Sequence, residues 1–324
     1  MKKWNVVVAI FVALSLPWPI ASVEAKMDNL PRMSGATLLV GYPPFNLLVT
    51  TGDTTSKLQE GGGDWYVTPS MSADGRIIAS ARATDASSGS KARPKLTVST
   101  YSTTDQKWVD YKDLSVFDGS VSISPDGTKL ACVTRKVAGA PSNLSILDLR
   151  TGTVTAGPDN AGPGLSWSPD GREIAFDREA ARVADGKAIP PLRAIYVLNV
   201  ADGKVSKIAD GTSPSWSPTG EWIAFYDYQP GRDDVKKGWY ADNANRVSVI
   251  HPNGTGHKVL ATFDRNESVS VPPVWSPGSQ SILVNKSHDS DKGTMDIYLL
   301  DITTQQLTKK FGNVPPVYAW VAAK

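Results

Sequence analysis

The chain has 324 residues, 40% of them apolar and 20% charged, with 27 Gly and 23 Pro spread along its length. That composition fits a folded, turn-rich globular protein and excludes a long coiled coil or a disordered chain. Lys+Arg 34 against Asp+Glu 32 leaves a formal charge of +2, so no broad basic face is available for nucleic acid, and the single cysteine, Cys132, excludes an intramolecular disulfide or a cysteine-based zinc site.

Lys2 and Lys3 precede an apolar run from Val6 to Leu16, then Pro17, Pro19 and small residues ending Val23-Glu24-Ala25. This order reads as a Sec-type signal peptide over residues 1–25, cleaved near Ala25. The run is shorter than the ~20 apolar residues a spanning helix needs. A lipoprotein would require a cysteine just after it, and Cys132 lies far downstream. The mature chain is therefore expected in the periplasm or secreted, without membrane insertion. Residues 26–34 read as an N-terminal arm, and Thr37 to Gly41, Asn46 to Thr50 and Thr55 to Gln59 as three short strands.

From there one motif repeats: Ser72-Ala73-Asp74-Gly75, Ser124-Pro125-Asp126-Gly127, Ser168-Pro169-Asp170-Gly171, Ser217-Pro218-Thr219-Gly220 and Ser276-Pro277-Gly278. The preceding residues are Met71, Ile123, Trp167, Trp216 and Trp275, and a weaker match after Pro315-Pro316 places a sixth anchor at Tyr318. Pro presets the first central position of a tight turn, Asp bonds neighbouring amides and Gly takes a positive φ. These aspartates are turn-makers. Buried-strand patterns follow at Ile78-Ala79-Ser80, Leu130-Ala131-Cys132, Ile174-Ala175-Phe176, Ile223-Ala224-Phe225 and Ile282-Leu283-Val284. Third strands recur at Leu144 to Leu149, Ile195 to Val200, Val247 to Ile250 and Ile297 to Ile302, each followed by a hairpin turn and a fourth strand.

Four antiparallel strands repeating every 43–59 residues predict an all-β fold of propeller blades, whose sheets bury their faces only when neighbours stack on them. Tyr318 begins an innermost strand that lacks successors, and the three strands from Thr37 to Gln59 lack an innermost one. Together they make one shared blade. The prediction is a six-bladed β-propeller over residues 35–324.

The Ser-Pro-Asp-Gly turn followed by Ile-Ala-Phe closely resembles the TolB-like, WD-repeat-like propeller blade. The resemblance spans about residues 35–322, matches best at Trp167 and Trp216, and implies an exported propeller. The TolB protein carries an α/β domain before its propeller. With only about ten residues between Lys26 and the first strand, that domain is expected to be absent.

Fold of this kind identifies function weakly. The tight turns share one rim with the third-to-fourth-strand turns. The opposite rim carries the variable connections Thr84 to Lys95, Glu179 to Leu192, Gln229 to Asn245 and Ser287 to Met295, and long connections are commonly functional. Five equivalent positions point to that rim: Arg82, Thr134, Arg178, Asp227 and Lys286, with Arg135 beside Thr134. Trp65, Tyr66, Tyr228, Trp239 and Tyr240 are expected nearby. Arg and aromatic side chains at one mouth suit a protein or anionic-ligand contact; solvated charge with blade-packing aromatics is the competing reading.

No Gly-x-Ser-x-Gly elbow is present, and Cys132 is expected to be buried and inert. His251 and His257 flank a turn on the short-turn rim whereas His288 lies on the other, which excludes a three-histidine metal site. Asp289, Asp291 and Asp296 are a sparse oxygen set for calcium, and no other cofactor is expected. The favoured function is a monomeric binding module that docks an envelope or secreted protein partner on the long-loop face. The alternative is a propeller hydrolase or lyase acting on an anionic saccharide or peptide.

Overall fold

Each repeated turn closes on its own side chains. In the computed structural model, which describes residues 30–42, 46–58, 66–83, 96–116, 121–134, 142–184, 187–228, 244–263, 269, 271–289 and 294–323, Ser168 Oγ donates to Asp170 Oδ1 at 2.6 Å. The same hydroxyl accepts the Glu173 N–H at 2.9 Å, and the Arg172 N–H donates to Asp170 at 3.1 Å. Gly171 completes the turn at φ +70°. The pattern recurs around Ser72 and Ser124. Ser217 keeps the hydroxyl bond to the Trp222 N–H with Thr219 in the aspartate's place. In the last copy Ser279, not a glycine, takes the left-handed φ of +56°.

These turns reverse short strands that stack as blades. The first three strands are β1 (Ala36–Tyr42), β2 (Asn46–Thr51) and β3 (Thr54–Lys57). The second blade is β4 (Tyr66–Met71), β5 (Ile77–Ala83), β6 (Leu96–Ser102) and β7 (Lys107–Val116); the third is β8 (Val121–Ile123), β9 (Lys129–Thr134), β10 (Asn143–Asp148) and β11 (Val154–Asp159). The fourth holds β12 (Ala161–Trp167), β13 (Glu173–Ala184), β14 (Lys187–Asn199) and β15 (Val205–Asp210). The fifth holds β16 (Thr212–Trp216), β17 (Ile223–Tyr228), β18 (Ala244–Ile250) and β19 (Lys258–Thr262), and the sixth β20 (Val274–Trp275), β21 (Ser281–Asp289), β22 (Thr294–Asp301) and β23 (Leu307–Val314). The last strand, β24 (Val317–Ala322), pairs antiparallel with β1, giving six four-stranded sheets with the first blade shared between the two chain ends. The fold is the six-bladed propeller that the repeat predicts.

Apolar side chains fill the seams between blades. Ala79, Ala81 and Val98 of the second blade meet Ile123, Leu130 and Cys132 of the third. Phe176 and Ile174 face Leu144 and Ile146, Phe225 and Ile223 face Ala175 and Ile195, and Trp275 and Val284 face Ala224 and Tyr226. Indole N–H groups tie innermost strands together across seams, Trp167 to Ser122 O and Trp275 to Ser215 O, both at 2.9 Å.

Two expected loops are largely strand. Residues Glu179 to Leu192 form a β-ribbon: β13 and β14 stay in register from Glu173↔Asn199 out to Ala184↔Lys187, with one irregularity between Ala180 and Arg182. Pro190 and Pro191 fall in that irregularity, where their missing N–H groups break no ladder. Likewise β21 and β22 continue to Asp289↔Thr294. Of the arm, Pro31 O accepts the Thr50 hydroxyl at 3.0 Å and Arg32 bonds Asp53 O and Thr55 Oγ1. The expected signal peptide, residues 1–25, lies outside the described residues.

Candidate functional site on the long-loop rim

The five equivalent positions occupy matching places in the second strands of their blades. Arg82 pairs with Tyr66 and Thr97, Thr134 with Asn143, Arg178 with Ala161 and Ala194, Asp227 with Arg246, and Lys286 with Asp296. The Arg178 guanidinium lies 4.1 Å over the Tyr196 ring, which in turn stacks on Phe176 at 5.7 Å. Lys286 Nζ sits 5.3 Å from the Tyr298 ring and 5.9 Å from Phe263. Tyr66, Arg82 and Asp289 are described as strand positions only. Trp65, Arg135, Trp239, Tyr240 and Asp291 lie outside the described residues.

Asp227 is buried rather than presented to solvent. Its Oδ2 accepts from Arg246 Nη2 at 2.7 Å, the Ser248 hydroxyl at 3.1 Å and His257 Nε2 at 3.1 Å. Arg246 Nη2 also donates to Tyr228 O at 2.7 Å, so the guanidinium braces the strand just before the 229–243 connection. His257 flanks the third-to-fourth-strand turn as expected, but its contact with Asp227 was not foreseen. Phe225, Asp227 and Ser248 share one sheet face, and the imidazole reaches along that face from the third-to-fourth-strand turn. His251 does stay on its own rim, stacked on Trp222 with ring centroids 3.9 Å apart.

Asp296 is also buried, with Lys309 Nζ at 2.7 Å and the Asn313 N–H at 3.1 Å donating to its carboxylate. Among the described residues no three His, Cys, Asp or Glu side chains are grouped to hold a metal ion. Burial pushes the Cys132 thiol up to about 12, which keeps it protonated and unreactive.

Sequence reasoning missed the residue beside Arg178. Asp177 is fully buried, and its carboxylate gathers four donors: the Gly164 N–H at 3.2 Å, Arg193 Nη1 at 3.1 Å, the Thr212 hydroxyl at 2.6 Å and the Ser213 N–H at 3.1 Å. Two of these come from the start of the next blade. Ser213 holds φ +56°, a conformation that costs a non-glycine residue about 1–2 kcal/mol and that the Asp177 bond offsets. The equivalent residues of the next two blades also reach forward: Tyr226 OH donates to Val271 O at 2.7 Å, and Asn285 bonds both backbone atoms of Val317. One repeat position therefore latches three successive blades to the chain segment that opens the next one. No local sequence signal marks it, because its identity changes from Asp to Tyr to Asn.

Beside this latch the Tyr228 hydroxyl is buried with no hydrogen-bond partner. Burial first, and then the Asp177 carboxylate, raise its pKa above that of an ordinary phenol.

Six closed blades, a rim of tight turns and a rim of long connections define a TolB-like propeller fold. No family model and no curated protein matches the sequence. Solved structures do: TolB from Acinetobacter baumannii superposes with a TM-score of 0.62 at 17% identity, over 93% of this chain and 70% of that one. The chain is also similar to a structure of a nidogen/laminin complex (TM-score 0.57, 8% identity, 89% and 98% covered) and to an oligogalacturonate lyase in complex with manganese (0.51, 14%, 86% and 74%). At these identities the likeness is one of fold.

Proposed function

We propose that this chain is an exported propeller module that docks a protein partner on its long-loop face. The observation that carries the reading is the β13–β14 ribbon. Pairing to β12 and β15 stops at Arg178 and Ala194, while β13 and β14 continue together to Ala184↔Lys187. At ~3.3 Å per residue this gives an arm on the order of 20 Å with both edges unpaired by the blade. A two-stranded ribbon is marginal alone and serves as a ready template for contact. The opposite rim is consumed by tight turns whose polar groups are satisfied internally. The propeller in the nidogen/laminin complex offers a precedent for protein docking by this fold, and the likeness to TolB supports export, as does the Lys2-to-Ala25 segment.

The test is capture from an envelope extract by wild type and by a form in which residues 181–191 are replaced by Asn-Gly. The shortened form is expected to keep its thermal transition and lose the captured protein. Equal capture by both would overturn the reading.

A further inference from the structure

Arg193 pairs across from Glu179 at the base of the ribbon, one step beyond the last four-stranded pairing. Its side chain turns inward across the fourth blade to the innermost strand. There a Cβ on Gly162 would collide with both Arg193 Nη1 and Asp177 Oδ1, so the glycine makes the slot in which the guanidinium lies. Nη1 is held by Asp177 at 3.1 Å, and Asp177 is itself fixed by three further donors from β12 and β16. Nε and Nη2 make no hydrogen bond among the described residues, and the side chain is 22% exposed. Burial pulls the Arg193 pKa down, but Asp177 and the other anionic neighbours more than restore it, so the group stays charged.

We infer that the ribbon base is a carboxylate-recognition site, in which the free Nε–Nη2 edge of Arg193 takes both oxygens of a partner's acidic side chain. The inference deepens the docking reading and rests on it. A guanidinium clamped at one nitrogen by a buried, fully satisfied carboxylate loses little freedom on binding, and its remaining edge matches the planar two-oxygen geometry of a carboxylate. Glu179 and Asp210 also act on this region, and Asp210 is paired with Lys207 at 2.6 Å. With acidic groups around it the site selects by fork geometry, not by bulk positive charge. A lysine is therefore a poor substitute.

The experiment is calorimetric titration of the full mature chain with the peptide Ac-(Gly-Glu)3-NH2 and its glutamine counterpart Ac-(Gly-Gln)3-NH2. Wild type is expected to bind the glutamate peptide at least tenfold more tightly. Arg193→Lys should lose that tenfold preference, about 1.4 kcal/mol, with an unchanged thermal midpoint. Should Arg193→Lys fold poorly, Asp177→Asn with Arg193→Gln removes both charges together and is expected to lose the same peptide preference, read at a temperature where the variant is folded. Equal affinity of wild type for the two peptides, or an undiminished preference in the variants, would overturn the assignment. If the ribbon deletion abolishes partner capture while these variants are silent, the carboxylate site fails and the docking reading stands; if the ribbon deletion is itself silent, the docking reading fails.

Discussion

Asn285 grips Val317 with both ends of its amide: Nδ2 donates to Val317 O at 2.9 Å and Oδ1 accepts the Val317 N–H at 2.8 Å. Val317 opens β24, the strand that completes the first blade, so one side chain of the sixth blade seats the piece that closes the ring. Removing residues 315–324 strips that strand and bares the edge of β1. The truncated protein is expected to lose its cooperative thermal transition, and Asn285→Leu, which leaves both Val317 backbone groups unpaired in a buried site, should cost about 2–4 kcal/mol in urea unfolding. An unchanged transition in the truncated form would show that the blade is not shared.

The turn glycines and aspartates separate by mechanism. Gly171 holds φ +70° with no atom near a built Cβ, so Gly171→Val meets only backbone strain, of order 2–3 kcal/mol for a β-branched residue. Asp170→Ala removes bonds at an exposed turn, about 1 kcal/mol. Urea midpoints should rank glycine above aspartate in cost.

Acid should weaken the same turns. The Ser168 hydroxyl holds the Asp170 carboxyl below the usual carboxylate range, although burial opposes it; backbone N–H groups, first of Thr151 and of Thr304, do the same for Asp148 and Asp301. Folded pKa values depressed below the unfolded value near 4 contribute stability that is present above that pH and lost as pH falls through the folded values. Stability measured between pH 6 and 2.5 should decline below about pH 4, and Asp170→Asn should flatten the decline.

Much of this architecture was legible because it is local. Ser, Pro, Asp and Gly within four positions specify a turn by their own bonds, and recurrence of that turn gave blade number and closure. The latch at Asp177, Tyr226 and Asn285 was not legible, since each side chain answers to a partner more than thirty residues away. His257 flanks the third-to-fourth-strand turn as expected, but the contact of its imidazole with Asp227 was not legible, because a side chain can reach along a sheet face beyond the place of its backbone. The connection Glu179 to Leu192 is expected as a long loop from its length, whereas β13 and β14 pair through most of it.

Asp177→Ala should be among the most damaging single changes, because it leaves the Arg193 charge unpaired and frees Thr212 and Ser213. A loss of about 3–5 kcal/mol is expected in chemical denaturation. Gly162→Ala should also destabilise, by forcing Arg193 out of its slot. A near-neutral result for both would mean that the seam between the fourth and fifth blades is not latched there.

Docking on the long-loop face is tested most directly by two charge reversals in one blade. Arg178 lies on the long-loop rim, and Arg172 lies in the tight turn of the opposite rim, 3.9 Å from Asp170 and largely exposed. Binding of the captured envelope protein is measured by calorimetry for Arg178→Glu, for Trp239→Ala with Tyr240→Ala, and for Arg172→Glu. Binding is expected to be at least tenfold weaker for the first two with stability held within about 1 kcal/mol, and of wild-type affinity for Arg172→Glu. Loss of binding in Arg172→Glu with no effect of the other changes would place the working face at the other end of the propeller.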